Sequence, residues 1–461
     1  MADNPGVILA ADIGTSALKA GVYSMDESLI ATASRSYQIN VHDMGMVDID
    51  PSLWWLAFQE VCHELKPHLK AVKVISLSVN TPGLSTMDED GNPLFPSILH
   101  LDGRSRAQAL RIRSLVGEER LLDLACNLPV SGGSSLASIL WIRDNHPEIY
   151  SHGRFGHTNT FIAKQLTGEW SIDPSTTSIT GLYNTASNDL TWNNEVLDLT
   201  ELSPAKLPKL RHSFAPVGTL RKEIVEQFGF PSDCVVLCGG NDAVLATLST
   251  DLIKPGDIST TNGSTDITMV ILDKPLRSRE FNIRCHVLPG LWVTFFVLNT
   301  GSIAFDWFHR EFCREMSIDD YYEKYIPAVL ADFFKQSDLD QMDAELPTYT
   351  PFLQGSRYSM ERLTAGFSGL SMETTREKVL LGLVKGNTLY TGNHLKELGK
   401  MIPLNKTVHL TGGGAKISGI KAAKRRWQGD FNYEIIEQSS LIGAVKLGQG
   451  YLKGEYSRWI S

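Results

Sequence analysis

The sequence predicts an α/β protein of two domains, and three observations support this prediction. Strand-like and helix-like segments alternate along the first part of the chain. A chain of 461 residues is too long for one ordinary hydrophobic core. The pattern of strand, small polar turn and strand occurs at residues 10–23 and again at residues 254–272, so both halves are expected to share one fold.

The elements of the first half follow in chain order. Residues 7–11 and 19–23 predict a strand pair, and residues 30–39 predict a third strand. Residues 51–65 begin with proline and place aromatic and aliphatic side chains at helical spacing, which predicts a helix. Residues 72–79, VKVISLSV, predict a further strand. This order indicates a layered α/β domain.

The second half repeats the alternation. Small residues within residues 254–272 separate two β-prone runs, which predicts a second strand pair. Residues 378–398 predict a helix and residues 406–411 a strand. Three glycines at 412–414 interrupt the pattern before another helix that ends near Trp427.

Composition excludes several classes of protein. A net charge of −9 argues against a general nucleic-acid binder, although a local loop can still hold a small anion. The start has no basic segment before its apolar run and no apolar run reaches membrane-spanning length, so neither a secretory signal nor a membrane partner is expected. The six cysteines lack zinc-site spacing, Cys234 and Cys238 are expected to be buried thiols in a strand, and a cytoplasmic location is expected. The six cysteines are Cys62, Cys126, Cys234, Cys238, Cys285 and Cys313.

Three loops join glycine to small polar residues where a strand ends. They lie at residues 12–19, 263–265 and 412–415, and the chain has no GxxxxGK[ST] motif. Small residues let backbone N–H groups approach a phosphate closely, but each loop alone is equally consistent with a tight turn.

Two aspartates have both a structural and a chemical interpretation. Asp242 lies between an apolar strand and a helix, where it would be either a helix N-cap or a general base. Asp102 would either cap a nearby helix or hydrogen-bond a polyol, with Arg104 as a solvated charge or its orienting partner.

Seven motifs, taken in their order, resemble the FGGY family of carbohydrate kinases from about Val7 to about Leu452. The motifs are DIGTSALKAGVY, GNPLFPSILHLDGR, GGNDAVLAT, TTNGSTDI, PFLQGSR, LTGGGAKISG and EQSSLIGAVKLG. The resemblance implies two domains of the ribonuclease H-like fold shared by actin, heat-shock chaperone ATPases and sugar kinases, with a cleft between them. Residues 1–245 would carry the sugar side and the catalytic aspartate, and residues 246–461 the nucleotide side.

The resemblance also implies a mechanism that uses ATP and Mg²⁺. Asp242 would deprotonate the sugar hydroxyl, and Asp12 together with Asp242 would hold the metal. The residues implied to bind ATP are Gly14, Thr15, Ser16, Lys19, Gly263, Ser264, Thr265, Gly301, Gly413, Gly414 and Ser418. The residues implied to bind the substrate are Thr81, Pro82, His100, Asp102 and Arg104.

The departures from the family pattern concentrate on the sugar side. Thr81 and Pro82 replace a Met-His pair that lines the sugar pocket of xylulokinases, and His100 stands where Trp is common. Ala243 follows Asp242 where Asn or Gln is usual, and Ser356 replaces a glutamate. The pattern is nearest to xylulokinases, but which sugar and which hydroxyl react stays open.

The resulting hypothesis is an ATP-dependent kinase of a small sugar or polyol. The alternative is an ATP-binding relative that acts by conformational change or regulation without sugar turnover. A homodimer is expected from the resemblance alone.

Overall fold

The computed structural model describes residues 6–358, 360–361 and 363–457. Residues 1–5 and 458–461 lie outside this description. The prediction about a signal sequence at the start therefore stays a prediction, as do the outer ends of the two predicted domains.

The strands have the following bounds. They are β1 Val7–Ile13, β2 Ala17–Tyr23, β3 Leu29–Ser36, β4 Asn40–Val41, β5 Val47–Ile49, β6 Val72–Val79, β7 Gly83–Met87, β8 Pro93–Leu99, β9 Arg154–Gly156, β10 Ser171–Ile172, β11 Lys209–Leu210, β12 Pro216–Thr219, β13 Val235–Leu237, β14 Gly240–Asn241, β15 Ile258–Asn262, β16 Asp266–Leu272, β17 Asn282–Cys285, β18 Trp292–Leu298, β19 Thr348–Thr350, β20 Gly366–Ser368, β21 Thr407–Thr411 and β22 Asn432–Ile435.

The helices have the following bounds. They are α1 Ser52–Leu65, α2 Arg106–Val116, α3 Glu118–Ala125, α4 Ser135–Asn145, α5 Pro147–His152, α6 Thr158–Thr167, α7 Pro174–Thr177, α8 Asn194–Thr200, α9 Lys222–Phe228, α10 Asp242–Ser249, α11 Ser302–Phe312, α12 Ile318–Asp320, α13 Ile326–Phe334, α14 Leu339–Ala344, α15 Arg376–Met401, α16 Ile420–Trp427 and α17 Ser440–Leu452. A π-helical turn spans Tyr321–Tyr325, and 3₁₀ turns span Asp43–Gly45, Lys66–Ala71, Pro204–Lys206 and Gly413–Lys416.

The described residues pack into two units. The first lies within Met1–Ile253, Asp273–Val293 and Gln438–Ser461, and the second comprises Lys254–Leu272 and Thr294–Glu437. The predicted domains, 1–245 and 246–461, are a functional division that stays a prediction. Packing defines units that the chain enters more than once, because an element far along the sequence can complete an earlier sheet or core.

The first unit is built on a sheet whose central strands are β6 and β1. The strand order is β12-β13-β6-β1-β2-β3, and β14 pairs with β6 beyond the end of β13. β1 runs parallel to β6 and antiparallel to β2, and β2 is antiparallel to β3. The predicted strand pair, third strand, helix and following strand are thereby confirmed, with β6 matching residues 72–79. Helix α1 buries Trp54 and Phe58 in the core on this sheet.

Helix α17 lies against β1 and α10 although it comes from the end of the chain. Glycines permit this close approach. A Cβ atom on Gly443 would lie 1.9 Å from the backbone oxygen of Leu245 in α10, and one on Gly448 would lie 3.0 Å from Ile8. The contact brings the start of α17 close to the carboxyl end of β1.

The second unit has a sheet in which β15 is central. β15 is antiparallel to β16 and parallel to β21, and β22 extends the sheet beyond β21. The predicted second strand pair, the strand at 406–411 and the helices at 378–398 and before Trp427 are confirmed, with α15 extending over Arg376–Met401. Among the helices that the structure describes, none combines the length and apolar character required to cross a bilayer.

Candidate active site

In the first unit, the ends of three neighbouring strands bring two carboxyl groups into one site. Asp12 pairs with Ser78 across the parallel β1 and β6, and β14 pairs with the opposite edge of β6, where Asn241 faces Val79. Asp242 follows directly as the first residue of α10. The carboxyl ends of parallel strands are where α/β folds commonly place ligands.

The bend that delivers Asp242 depends on glycine. Gly239 has a φ of +75°, and a Cβ atom there would lie 2.3 Å from the backbone oxygen of Leu77. The N-cap of α10 is Asn241, whose side-chain oxygen accepts from the N–H of Val244 at 3.1 Å. The interpretation of Asp242 as the cap is therefore wrong, and its carboxyl group is available for another role.

Burial and charge tune the two carboxyl groups differently. Burial and the nearby Asp12 charge raise the pKa of Asp242 to about 7, although the N–H of Ala243, Arg284 and Asn241 act in the opposite direction. Burial also raises the pKa of Asp12, against hydrogen bonds from Ser78 and Ser440 and the charge of Lys19. The Ser78 hydroxyl donates to Asp12 Oδ1 at 2.6 Å. A carboxyl group with a pKa near neutrality can both take up and release a proton.

Two hydrogen bonds at Gly14 hold the loop after Asp12. The N–H of Gly14 donates to the carbonyl of Ala17 at 2.9 Å, and the Tyr37 hydroxyl donates to the Gly14 carbonyl at 2.7 Å. Thr15 is partly exposed, and Ser16 and Lys19 are exposed. The turn thus presents small residues and one lysine outward, as an anion would require.

Thr81 connects to the catalytic candidate through hydrogen bonds. Asn241 Nδ2 donates to Thr81 Oγ1 at 2.9 Å and to Asp242 Oδ1 at 2.9 Å. Arg284 Nη1 donates to the same Thr81 oxygen at 2.5 Å. Thr81 and Pro82 are both buried, and the peptide bond between them is cis. The predicted substrate residue Thr81 therefore lies in the same hydrogen-bonded group as Asp242.

Asp102 and Arg104 form a separate buried ion-pair network. Arg104 Nε donates to Asp102 Oδ2 at 2.8 Å, and its Nη2 donates to Asp48 Oδ2 at 2.7 Å. Asp102 also accepts from the N–H groups of Val47 and Arg104, and Arg104 lies over the ring of Trp141 at 5.1 Å. These bonds use both Asp102 oxygens to fix the loop after β8, and neither a helix cap nor a solvated Arg104 is observed. Their predicted contact with substrate, and that of the partly buried His100, stays a prediction.

In the second unit, the loop Gly263–Thr265 joins β15 to β16 and is tied to the start of α11. Gly301 N–H donates to the Ser264 carbonyl at 2.9 Å, and Ser302 N–H donates to the Gly263 carbonyl at 2.8 Å. A Cβ atom on Gly301 would lie 2.4 Å from Asp266 Oδ1. A residue with a side chain at position 301 would therefore displace this loop.

The glycine triplet continues the same surface of the second unit. Gly412 has a φ of +90°, and a Cβ atom there would lie 2.4 Å from the Asn262 carbonyl oxygen. A pocket of about 630 Å³ opens beside the triplet. It is lined by Asn262, Gly263, Ser302, Tyr322, Glu323, Pro327, Gly413, Gly414, Lys416, Ile417 and Ser418. This volume suits a small-molecule ligand.

A second chamber in this unit contains two opposite charges. Asp266 and Lys424 line it together with Gly263, Gly301 and Gly414. Burial raises the pKa of Asp266 to about 6, against the charge of Lys424, and burial lowers the pKa of Lys424. Lys424 Nζ also donates to Gln428 Oε1 at 3.1 Å. The linings of this chamber and of the larger pocket share Asn262, Gly263, Ser302 and Gly414.

The predicted residues thus fall into groups within each unit. In the first unit, Asp12, Thr81 and Asp242 surround the end of β6, and Asp102 and Arg104 form their own network. In the second unit, two neighbouring pockets are lined by predicted ATP-binding glycines, which are Gly263, Gly301, Gly413 and Gly414. The sequence interpretation did not identify the side chains that complete these groups: Ser78, Asn241, Arg284, Ser440, Asp266 and Lys424.

The acidic pair is chemically suited to magnesium. Mg²⁺ prefers oxygen ligands and commonly takes one or two carboxylates together with substrate phosphates. Asp12 and Asp242 offer such oxygens, and the described part of the chain contains no group of three or more His, Cys, Asp or Glu that could hold a metal by itself. The residues present therefore fit a metal that shares its ligands with a phosphate.

Comparison with known proteins agrees with this geometry. Residues 7–249 match the N-terminal domain of the FGGY family of carbohydrate kinases. The chain is 27% identical over 402 residues to the gluconokinase of Bacillus subtilis (strain 168), covering 83% of this chain and 75% of that protein. It is 25% identical over 421 residues to the xylulose kinase of Staphylococcus xylosus, covering 89% and 83% respectively.

Solved structures show the same fold. The xylulose kinase from Rhodospirillum rubrum has a TM-score of 0.87 at 20% identity, covering 96% of this chain and 89% of that chain. The gluconate kinase from Lactobacillus acidophilus has a TM-score of 0.86 at 20% identity, covering 97% and 89% respectively. The predicted α/β fold is confirmed as the fold of these sugar kinases.

The chain belongs to the FGGY family of carbohydrate kinases, because the family match spans more than half of its length. It is accordingly an enzyme that transfers a phosphate group to an alcohol, as the sequence predicted.

Proposed function

We propose that this chain transfers the γ-phosphate of ATP to a hydroxyl of a small sugar or polyol, with Asp242 as the general base. One observation carries the proposal: Asp242 starts a helix beside the end of β6, next to the second carboxyl group of Asp12. Its pKa of about 7 allows it to accept the hydroxyl proton near neutral pH. The hydroxyl oxygen bonds to the γ-phosphorus as the bond from phosphorus to the bridging oxygen breaks, and ADP leaves.

The remaining residues of the first unit would position the reacting groups. Asp12 would share a magnesium ion with the phosphates, with Ser78 and Ser440 orienting its carboxyl group. Bound there, Mg²⁺ would supply positive charge to the phosphate oxygens. Gly14, Thr15, Ser16 and Lys19 would contact the terminal phosphates.

The second unit would hold the nucleotide. Gly263, Ser264 and Thr265 would face the phosphates from the loop that Gly301 supports, and Gly413, Gly414 and Ser418 would border the adenosine in the large pocket. Phosphoryl transfer depends mainly on positioning and electrostatics, which fixed glycine loops provide.

The test is ADP release from Mg-ATP across ketopentoses, aldoses, deoxy sugars, sugar acids and polyols, with an Asp242→Asn variant beside the wild type. We expect turnover of at least one substrate and a loss of about 10²- to 10⁴-fold in the variant, with ATP binding retained. Asp251→Asn is the matched control, because Asp251 follows the same helix, is 76% exposed and forms a surface ion pair with Lys446.

Two results would contradict the proposal. Unchanged turnover in Asp242→Asn would remove Asp242 as the base. ATP binding without turnover of any substrate would instead favour the alternative, an ATP-binding relative that acts by conformational change or regulation.

Two further properties are proposed with this function. A cytoplasmic location is supported by six cysteines that are all buried and free in the structure. The homodimer stays a prediction, to be measured by sedimentation or light scattering.

A further inference from the structure

Two charged side chains line the smaller chamber of the second unit, and we call them the charge pair. Lys424 in α16 is buried, with an exposed fraction of 4%, and Asp266 in β16 is partly buried. Burial raises the pKa of Asp266 to about 6 and lowers the pKa of Lys424, and each charge opposes the shift of the other. Burying a lysine costs free energy that an opposite charge only partly offsets. The charge pair therefore needs a specific explanation.

Asp266 is connected to all three glycine loops of the proposed nucleotide site. It directly follows the loop at residues 263–265. A Cβ atom on Gly301 would lie 2.4 Å from Asp266 Oδ1, so this glycine lies directly against the carboxyl group. The side chain of Asn262 hydrogen-bonds to the same carboxyl group, and a Cβ atom on Gly414 would lie 3.2 Å from Asn262 Cβ. A displacement of Asp266 would therefore displace the loops.

Lys424 is fixed within α16, the helix that follows the glycine triplet. Its Nζ donates to Gln428 Oε1 at 3.1 Å, one turn further along the chain. The chamber between these segments has a volume of about 30 Å³, which is room for about one or two water molecules. A phosphate group or a base is too large for it. The charge pair would therefore act on a nucleotide through the loops and through its charge, and not by direct contact.

The two charges would have opposite effects on a bound nucleotide. The phosphates of ATP are negatively charged, so they are attracted by Lys424 and repelled by Asp266. Salt screens such interactions less in a buried site than at the surface. Lys424 also balances Asp266, so its removal alone would leave a carboxylate beside the loops that would hold the phosphates. Removal of Asp266 alone would leave the attractive charge in place.

We propose that Lys424 is a positioning residue of the nucleotide site, which holds the glycine loops through Asp266 and supplies positive charge that favours the phosphates. The proposal rests on the function proposed above and adds a determinant of nucleotide affinity to that same site. A merely structural ion pair would stabilise the second unit in the same way whether the ligand is charged or neutral.

The test measures Kd for Mg-ATP, without a sugar substrate, and for adenosine in the wild type and in Lys424→Met. Methionine keeps most of the length of the lysine stem and removes the ammonium group. We expect Kd for Mg-ATP to rise about tenfold or more and Kd for adenosine to change much less. An unchanged Kd for Mg-ATP, or an equal loss for both ligands, would overturn the inference.

Replacing the other charge separates electrostatic positioning from a merely structural role. Asp266→Asn keeps Lys424, so its Kd for Mg-ATP should be unchanged or lower. The double variant Asp266→Asn/Lys424→Met leaves no unbalanced carboxylate, so its Kd should lie between those of the wild type and Lys424→Met. Equal losses of Mg-ATP affinity in the two single variants would overturn the inference.

Lys385→Met is the matched control. Lys385 lies in α15 of the same unit and forms an ion pair with Asp343 at 2.8 Å, and the chamber lining in the described structure does not include it. Its replacement should leave Kd for Mg-ATP unchanged. Urea unfolding of each variant shows whether it is folded. If Lys424→Met does not fold, Asp266→Asn still decides the question, because a rise in its Kd for Mg-ATP would overturn the inference.

Failure of this inference is distinguishable from failure of the proposed function. A wild-type protein that binds no Mg-ATP would contradict the proposed function, and the role of Lys424 would fail with it. Mg-ATP binding that is equally tight in the wild type and in Lys424→Met would overturn only the role of Lys424.

Discussion

Replacing Asp242 by Asn should change how stability depends on pH, and the structure gives the magnitude. Burial and Asp12 raise the pKa of Asp242 from 3.8 to about 7 in the folded protein. The unfolded chain therefore releases this proton at lower pH than the folded chain, and ionisation at Asp242 reduces stability as pH rises through this interval. Three pKa units correspond to about 4 kcal/mol as an upper limit.

Between pH 5 and pH 8 the expected loss is about 2 to 3 kcal/mol, because part of the interval lies below pH 5 and Asp242 is partly exposed. An amide has the same shape as the carboxyl group and does not ionise. The stability advantage of Asp242→Asn over the wild type should therefore grow by this amount between pH 5 and pH 8.

The assay is urea unfolding of both proteins from pH 5 to pH 8 in metal-free buffer containing a chelator, with Asp251→Asn measured in parallel. The exposed control should follow the wild type at every pH. If the free energies of unfolding of Asp242→Asn and the wild type changed equally with pH, the pKa of Asp242 would be the same in the folded and the unfolded chain. That result would refute the argument that burial and Asp12 raise this pKa.

Two glycine substitutions test the close approaches that position the sites. Gly443→Ala should lower the free energy of unfolding, measured in urea, by about 1 to 3 kcal/mol, because the new Cβ would lie 1.9 Å from the Leu245 oxygen. The control is Gly399→Ala, whose new Cβ would lie 3.4 Å from the nearest atom, so its free energy of unfolding should be unchanged or higher. Gly301→Ala should raise KM for ATP about tenfold or more by displacing the loop after β15. Gly366→Ala, with nothing within 4 Å, should leave KM unchanged, and equal kinetics in these last two variants would exclude a positioning role for Gly301.

The strands and helices that carry a regular apolar pattern could be predicted from the sequence. Strand β6 matches its predicted range, and helix α15 is longer than predicted by a few residues at each end. These elements bury long apolar faces, so the pattern itself specifies them. The three glycine loops could also be located, since small residues at strand ends are visible in the sequence.

The side chains that complete the site could not be found in the same way. Arg284 and Asn282 alternate with Ile283 and Cys285, a period of two that indicates a polar, solvent-facing side of a strand. The structure instead buries Arg284, which donates a hydrogen bond to Thr81 from a distant segment of the chain. Such contacts depend on chain segments far apart in sequence, which local patterns do not encode.

The role of Asp242 illustrates the same limit. A sequence with Asn and Asp at adjacent positions before a helix does not distinguish the cap from the neighbouring residue. The choice depends on the backbone bend at Gly239, which turns Asn241 into the cap and leaves Asp242 beside Asp12.

The most direct test of the central claim follows the transferred phosphate itself. Wild-type protein is incubated with Mg-ATP and the substrate panel, and the products are observed by ³¹P nuclear magnetic resonance. Phosphoryl transfer predicts one phosphate monoester on a carbon-bound hydroxyl for each ADP formed, and ester formation slower by about 10²- to 10⁴-fold with Asp242→Asn. Inorganic phosphate as the sole product, or an ester formed equally well by Asp242→Asn, would contradict a kinase that uses Asp242 as its base.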